Sequence, residues 1–215
     1  MSTQGLTRVI VVDDHALIRR GMRETLAEHT DIRVIGEATE YGELRELLRS
    51  GLTPDVIVLD INLPGRDGID VLKTLRAEGN AVAVLVVTMY TEDQYALRSL
   101  RAGANGYLHK SAPPQTLVAA VRQLAQGRRY LSAEIAELMA AALAGEGEGL
   151  PHEKLSDREM QTLKAIGSGK QLSEIAAAMR LSPKTVSVYR ARLLEKMKLS
   201  TNAELTHYAI KHGLV

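Results

Sequence analysis

Five short apolar runs, set at near-regular intervals through the first half of the chain, constrain its fold more than any other feature. They are Arg8-Val9-Ile10-Val11-Val12, Arg33-Val34-Ile35-Gly36, Val56-Ile57-Val58-Leu59, Val82-Ala83-Val84-Leu85-Val86-Val87 and Gly106-Tyr107-Leu108. A strand with one wet face alternates apolar and polar residues. These runs are almost continuously apolar, as suits a parallel sheet covered on both faces. Between them the apolar spacing is helical, over about 16–28, 41–50, 68–77, 92–102 and 114–126. Five βα units predict a doubly wound α/β domain, and right-handed crossovers leave the strand order 2-1-3-4-5 as the natural choice.

The second half reads differently. A helix is expected over 132–143, followed by Ala144-Gly145-Glu146-Gly147-Glu148-Gly149, whose alternating Gly and Glu form no core and read as a flexible linker. From Leu155 onward the pattern is helical only, with four helices near 157–167, 172–179, 183–198 and 202–212. Ser156-Asp157-Arg158-Glu159 and Thr201-Asn202-Ala203-Glu204 fit capping boxes, and Ser182-Pro183 places Pro at a first helical position. The expected organisation is a domain over 1–128, a linker over 129–154 and a small all-α domain over 155–215.

Charge divides along the same lines. Residues 1–130 hold 16 Lys+Arg and 16 Asp+Glu, residues 131–154 hold 1 and 5, and residues 155–215 hold 10 and 5. A neutral body, an acidic connector and a basic tail point to an anionic partner for the tail, nucleic acid foremost. With no Cys, no disulfide framework, thiol nucleophile or Cys-based zinc site is possible. No apolar run approaches the roughly 18 residues of a membrane span, and Met1-Ser2-Thr3-Gln4-Gly5 lacks the pattern of a signal peptide. A cytoplasmic protein without membrane contact is the expectation.

In an open α/β sheet, ligands bind beyond the carboxyl ends of the strands at the point where strand order reverses, here between the first and third strands. The first strand ends in Asp13-Asp14 and the third in Asp60. Three adjacent anions repel unless a cation joins them, and oxygen-only donors favour a hard ion such as Mg²⁺. The fourth strand ends in Thr88, and Lys110 follows the fifth. Carboxylates with a metal, a hydroxyl and a lysine suit phosphoryl transfer, with an Asp oxygen as acceptor. Each residue alone has a bland reading as a cap, a strand-end hydroxyl or a surface charge; their joint placement on four strand ends does not. Asp67 reads as the cap of the third helix. His15 is expected to stand outside the site, because the carboxylates already serve a hard ion.

Val11-Val12-Asp13-Asp14-His15, Asp60-Ile61-Asn62-Leu63-Pro64-Gly65-Arg66-Asp67-Gly68, Val87-Thr88 and Gly103-Ala104-Asn105-Gly106-Tyr107-Leu108-His109-Lys110 together resemble the receiver domain of two-component response regulators, over about residues 7–126. The resemblance implies a flavodoxin-like fold with Asp60 as phosphoacceptor. Asp13, Asp14, Asp60 and the Asn62 backbone carbonyl would hold Mg²⁺. Thr88 and Tyr107 would form the switch pair, and Lys110 would hold the phosphoryl oxygens. Asn62 and Tyr90 would help set phosphoryl lifetime. Leu63 stands where the family usually has Met, and Ser111 where many receivers have Pro, so the cis bond common after the lysine is absent or becomes a non-proline cis bond.

In the tail, helical spacing over Pro183 to Lys198 puts Val186, Leu193, Leu194 and Met197 on a core face. Lys184, Ser187, Val188, Ala191 and Glu195 fall on the opposite face, with Arg190 and Arg192 flanking it. Small side chains edged by cations suit a helix that enters a major groove, where Val188 could meet a thymine methyl. The plain alternative is a solvated amphipathic helix.

Leu155-Ser156-Asp157-Arg158-Glu159, Gly169-Lys170-Gln171-Leu172-Ser173-Glu174-Ile175-Ala176 and Leu181-Ser182-Pro183-Lys184-Thr185-Val186-Ser187-Val188-Tyr189-Arg190 resemble the LuxR-type helix-turn-helix domain. That likeness implies a scaffold helix at 172–179 and a recognition helix at 183–198 contacting DNA through Lys184, Thr185, Ser187, Val188, Arg190, Ala191 and Arg192. It also implies a last helix used for dimerisation, with Leu205 and Tyr208 as candidates. Gln171, Tyr189, Ser187 and Ala191 depart from the common pattern, which puts transfer of a known operator in doubt.

Both likenesses in this order resemble the NarL/FixJ class of response regulators. The expected function is a DNA-binding regulator, not an enzyme. A histidine kinase would phosphorylate it on Asp60, and it would act as a homodimer on double-stranded operator DNA, with RNA polymerase as a further partner. A Mg²⁺-dependent phosphohydrolase and a receiver that docks only on proteins are the competing classes. The first lacks a base to activate water.

Overall fold

The computed structural model describes residues 5–90, 92–144, 150–179 and 181–215. It divides into two compact units, Met1–Ala144 and Gly145–Val215.

In the first unit β1 (Thr7–Val12), β2 (Ile32–Ala38), β3 (Val56–Leu59), β4 (Ala83–Thr88) and β5 (Gly106–His109) form one parallel sheet in the order β2-β1-β3-β4-β5. Helices α1 (Ala16–Ala27), α2 (Tyr41–Arg49), α3 (Gly68–Ala77), α4 (Glu92–Arg101) and α5 (Pro114–Ala125) make the crossovers. The apolar runs have the burial their composition demands, with Val9 to Val12 and Val56 to Leu59 all at 0% exposure. Alternation sends Val9, Val11, Val56, Val58, Leu85 and Val87 into one core with α1 and α5 residues such as Leu26 and Val121. The intervening Ile10, Ile57, Leu59, Val84 and Val86 are also buried, so both faces of the sheet are covered.

Pairing of β1 with β2 slips by one residue after Val9, where Ile10 pairs with Gly36 and Ile35 is left over as a bulge. At the other edge Tyr130 forms a parallel bridge with Gly106, its N–H donating to the Asn105 carbonyl at 3.0 Å. The chain then enters α6 (Ala133–Ala144), the helix expected over 132–143. Ser132 Oγ accepts the Ile135 N–H at 3.2 Å, and Ile135 is fully buried. Helix α6 packs against α4, so it belongs to the first unit. The Gly-Glu stretch 145–149, where the flexible linker is expected, lies outside the described residues.

The second unit opens with a 3₁₀ turn, Pro151–Lys154, that the sequence pattern does not signal. Then come α7 (Asp157–Gly167), α8 (Leu172–Ala178), α9 (Pro183–Met197) and α10 (Asn202–Lys211). Both expected capping boxes form, at Ser156/Glu159 and Thr201/Glu204. Helix α9 lies on α7 and α8, and α10 on α7, around Leu163, Ile166, Ile175, Val186, Leu193 and Leu205. No described helix is long and apolar enough to cross a membrane.

Candidate functional site

The carboxyl ends of β1 and β3 lie side by side, so Asp13 and Asp60 meet where the strand order reverses. Asp13 is 0% exposed and Asp60 2%. The Asp60 N–H donates to the Val12 carbonyl at 2.9 Å, carrying the sheet ladder into the site. Lys110 follows β5, and its own N–H donates to the Thr88 carbonyl at 2.8 Å. From there its side chain, 3% exposed, sets Nζ 2.7 Å from Asp13 Oδ2 and 2.7 Å from Asp60 Oδ2.

Gly68 makes room for this arrangement. A Cβ there would lie 2.2 Å from the Asp60 carbonyl oxygen and 2.8 Å from the Ile61 Cα. The start of α3 therefore packs backbone to backbone on the segment that carries Asp60. Asp67 caps α3, as its position suggests, accepting the Ile69 N–H at 2.8 Å.

Burial pushes the Asp60 carboxyl above its ordinary range, and Lys110 offsets only part of that rise. For Lys110, burial lowers the pKa, but the bonds to Asp13 and Asp60 together outweigh it and the net direction is up. The lysine is thus a fixed cation between two buried anions. Asp60 Oδ1 is buried and accepts no hydrogen bond. Such an oxygen calls for a cation or a transferred group at that point. Asp14 completes the cluster, its side chain 31% exposed. One donor atom each from Asp13, Asp14, His15 and Asp60 lies within 4.8 Å of every other. The three carboxylates of this set fit a hard divalent ion.

The structure corrects the expectation that His15 stands outside this group. Its Nδ1 is 2.7 Å from Asp14 Oδ1 and 3.3 Å from Asp13 Oδ1, while its N–H donates to Asp13 Oδ1 at 2.8 Å. The available signal is positional: the residue after the acidic pair starts α1 and shares its turn.

Thr88 ends β4 and is 1% exposed. Its hydroxyl lies 3.4 Å from the Tyr90 amide nitrogen, and the buried Tyr107 hydroxyl donates to the Tyr90 carbonyl at 2.7 Å. The Tyr90 ring stacks on Tyr95 of α4, centroids 4.2 Å apart. Burial, with the Asp67 and Asp60 charges, pushes the Tyr90 phenol up. Asn62 is exposed beside Asp60. No described peptide bond is cis, the Lys110–Ser111 bond included.

In the second unit Val186, Leu193 and Met197 of α9 are buried and Leu194 is half-buried, in keeping with the helical spacing. Lys184, Ser187, Val188, Ala191 and Arg192 are exposed together on the opposite side. Other candidates have local work. Thr185 donates its N–H to the Ser182 capping hydroxyl at 3.1 Å, Ser187 Oγ donates to the Pro183 carbonyl at 2.9 Å, and Arg190 binds Asn202 Oδ1. Leu205 corrects an expectation. It is 0% exposed, buried with Ala209 where α10 packs on α7, so it has no surface to offer a second copy. Tyr208 is half-buried, bonded to His152 Nδ1 at 2.8 Å, and borders a groove of about 460 Å³ with Leu199, Ala203, His207 and His212.

Comparison with known proteins places both units. Residues 9–122 match the response regulator receiver domain, and residues 153–209 match the bacterial regulatory proteins of the luxR family. The response regulator UvrY of Escherichia coli K12 is 36% identical over 97% of this chain and 96% of its own. The response regulator GacA of Pseudomonas aeruginosa is 36% identical over 98% of each. Among solved structures, RcsB of Salmonella enterica serovar Typhimurium, bound to promoter P1flhDC in the presence of the phosphomimetic BeF3⁻, matches at 25% identity. Its TM-score is 0.66 over 95% of this chain and 98% of its own. The chain belongs to the NarL/FixJ family of two-component response regulators, as a receiver domain followed by a LuxR-type helix-turn-helix DNA-binding domain.

Proposed function

We propose that this DNA-binding regulator is a phosphorylation switch on transcription. A histidine kinase passes a phosphoryl group to Asp60: the carboxylate oxygen bonds to phosphorus as the phosphorus–nitrogen bond to the kinase histidine breaks, and the imidazole leaves with the electron pair. The observation that carries this reading is Asp60 itself, one oxygen paired with Lys110 and the other buried without a hydrogen bond. Asp13, Asp14, Asp60 and the Asn62 backbone carbonyl would hold Mg²⁺, which when bound supplies positive charge against the phosphoryl oxygens. Lys110 stands ready to pair with a phosphoryl oxygen. The Thr88 hydroxyl turns toward the same group, and Tyr107 follows through the Tyr90 backbone they share.

The receiver, over about 1–128, then changes its pairing or its contacts with the helix-turn-helix domain from about 155 onward. The active form is a homodimer on double-stranded DNA, with the α10 face around Tyr208 at the contact and half-sites about one helical turn, roughly 10 bp, apart. Lys184, Val188, Ala191 and Arg192 face the DNA, and RNA polymerase is the partner at the promoter. The RcsB–promoter structure with a phosphomimetic supports this order of events by likeness.

The test is the intact mass of wild type and Asp60→Asn after incubation with Mg²⁺ and a small acyl-phosphate donor, followed by DNA binding of both. One phosphoryl adduct, on the wild type only, with tighter DNA binding, is the expected result. Equal DNA binding by labelled and unlabelled protein would remove the switch and leave the DNA binder.

A further inference from the structure

Tyr107 and His109, two residues apart on one face of β5, reach consecutive carbonyls of the loop that follows β4. The Tyr107 hydroxyl holds the Tyr90 carbonyl, and His109 Nε2 lies 3.0 Å from the Met89 carbonyl oxygen. We propose that His109 is a latch on the receiver: it holds the Met89–Tyr90 peptide in its resting arrangement and so sets how readily Asp60 takes a phosphoryl group. The proposal rests on the phosphorylation reading of Asp60 and adds a positioning residue to it.

The ring's other nitrogen fixes where its hydrogen sits. The Ser111 N–H donates to His109 Nδ1 at 3.2 Å, and Ser111 Oγ lies 2.6 Å from the same atom. In a neutral imidazole the nitrogen that accepts carries no hydrogen, so the proton is on Nε2, which donates it to Met89. A proline in place of Ser111 would have no N–H to give. The peptide plane passes the constraint on. The Met89 carbonyl and the Tyr90 N–H belong to one rigid unit and point in opposite directions. Pinning the carbonyl therefore aims the N–H at the Thr88 hydroxyl, 3.4 Å away. For Thr88 to turn toward a phosphoryl group, that unit has to shift and the latch has to open. Tyr107 holds the next carbonyl along, on the side of α4, whereas His109 acts on the peptide that faces Thr88. The ring also joins the two loops of the site, because Met89 follows Thr88 and Ser111 follows Lys110.

The test compares the full chain as wild type, His109→Leu and His109→Gln. Leucine fills the space without a donor, and glutamine offers an amide N–H near the place of Nε2. The rate of phosphoryl uptake from a small acyl-phosphate donor with Mg²⁺ is followed by intact mass. The ring tautomer in the wild type is read by nitrogen NMR at about pH 8, where an ordinary imidazole is neutral. The expected tautomer carries its hydrogen on Nε2. Uptake should be about fivefold faster in His109→Leu, which is one net hydrogen bond lost from the resting form, and within about twofold of wild type in His109→Gln. A merely structural defect would slow uptake rather than speed it. Hydrogen on Nδ1 instead, or uptake in His109→Leu equal to or slower than wild type, overturns the latch. Equally faster uptake in both variants assigns the effect to the bulk of the ring and overturns it too. No uptake by any of the three overturns the phosphorylation of Asp60, and the latch with it.

Discussion

The Tyr107 hydroxyl donates to the Tyr90 carbonyl at 2.7 Å, which ties the edge strand of the sheet to the loop above the carboxylate site. The N–H of Tyr90 faces the Thr88 hydroxyl, and its ring stacks on Tyr95 of α4, against which α6 packs. A hydroxyl at the site, a loop backbone and two helices are thus linked by contacts a single loop movement can break.

Tyr107→Phe tests this link. The ring stays and the Tyr90 carbonyl loses its donor, at a cost of about 1 kcal/mol in urea denaturation. Labelling of Asp60 by a small phosphodonor should proceed within about twofold of wild type, because no atom of the site changes. The change in hydrogen exchange of α4 on phosphorylation should be lost. Unchanged α4 exchange would show that the signal leaves the site by another route.

Gly68→Ala should be among the most damaging single substitutions in the receiver. Its Cβ would sit 2.2 Å from the Asp60 carbonyl oxygen, a backbone atom with no rotamer to yield. A loss of more than about 3 kcal/mol is expected, together with loss of phosphoryl uptake. Gly65 is the control. It sits at φ +71°, and a Cβ added there would meet nothing within 4 Å, so Gly65→Ala should cost about 1 kcal/mol and spare the chemistry. Equal losses at the two positions would contradict the close-approach argument.

The strands and the positions of Asp13, Asp60, Thr88 and Lys110 were legible in the sequence because a buried parallel strand leaves an apolar run and the fold places its site at the ends of such runs. The core face of α9 was legible for the same reason, periodicity. What escaped depended on contacts that no local pattern carries. Leu205 and Tyr208 lie one turn apart on α10, yet only packing against α7 decides that the first is core and the second half-exposed. The Thr185 N–H and the Ser187 hydroxyl look free in a helical projection and are drawn into bonds with Ser182 and Pro183. Helix α6 reads as a linker element from composition, and Ile135 becomes core only because α4 lies beside it.

Glu159 makes the stability of the helix-turn-helix domain depend on pH. Its carboxylate accepts the Ser156 N–H at 2.7 Å and Lys196 Nζ at 2.7 Å, joining α7 to α9. Burial alone would raise its pKa; Lys196 and Ser156 more than offset this and hold it below the usual carboxylate range. A depressed carboxylate gives stability that is fully present above its unfolded pKa, near 4.3, and is lost as pH falls through the folded value. Amides of α7 and α9 in the full chain should therefore lose protection below about pH 4.5. Glu159→Gln should lower protection at pH 7 by about 1–3 kcal/mol and flatten the acid limb. An unchanged acid limb in the variant would assign that slope to other carboxylates.

The exposed face of α9 separates affinity from sequence reading. Lys184 and Arg192 flank the small residues and stand exposed to solvent, where each is available to a phosphate. Arg192→Ala should weaken binding about equally on specific and random duplexes and lower the slope of log K against log salt by about 1. Val188, 44% exposed at the centre of the face, is suited to a thymine methyl. Val188→Ala should leave the salt slope unchanged and relax preference at one base pair by about 1 kcal/mol. Anisotropy titrations at several salt concentrations, on a selected operator and its single-base variants, measure both quantities. If Val188→Ala changed the slope and Arg192→Ala changed the base preference, α9 would lie in the groove with another face inward.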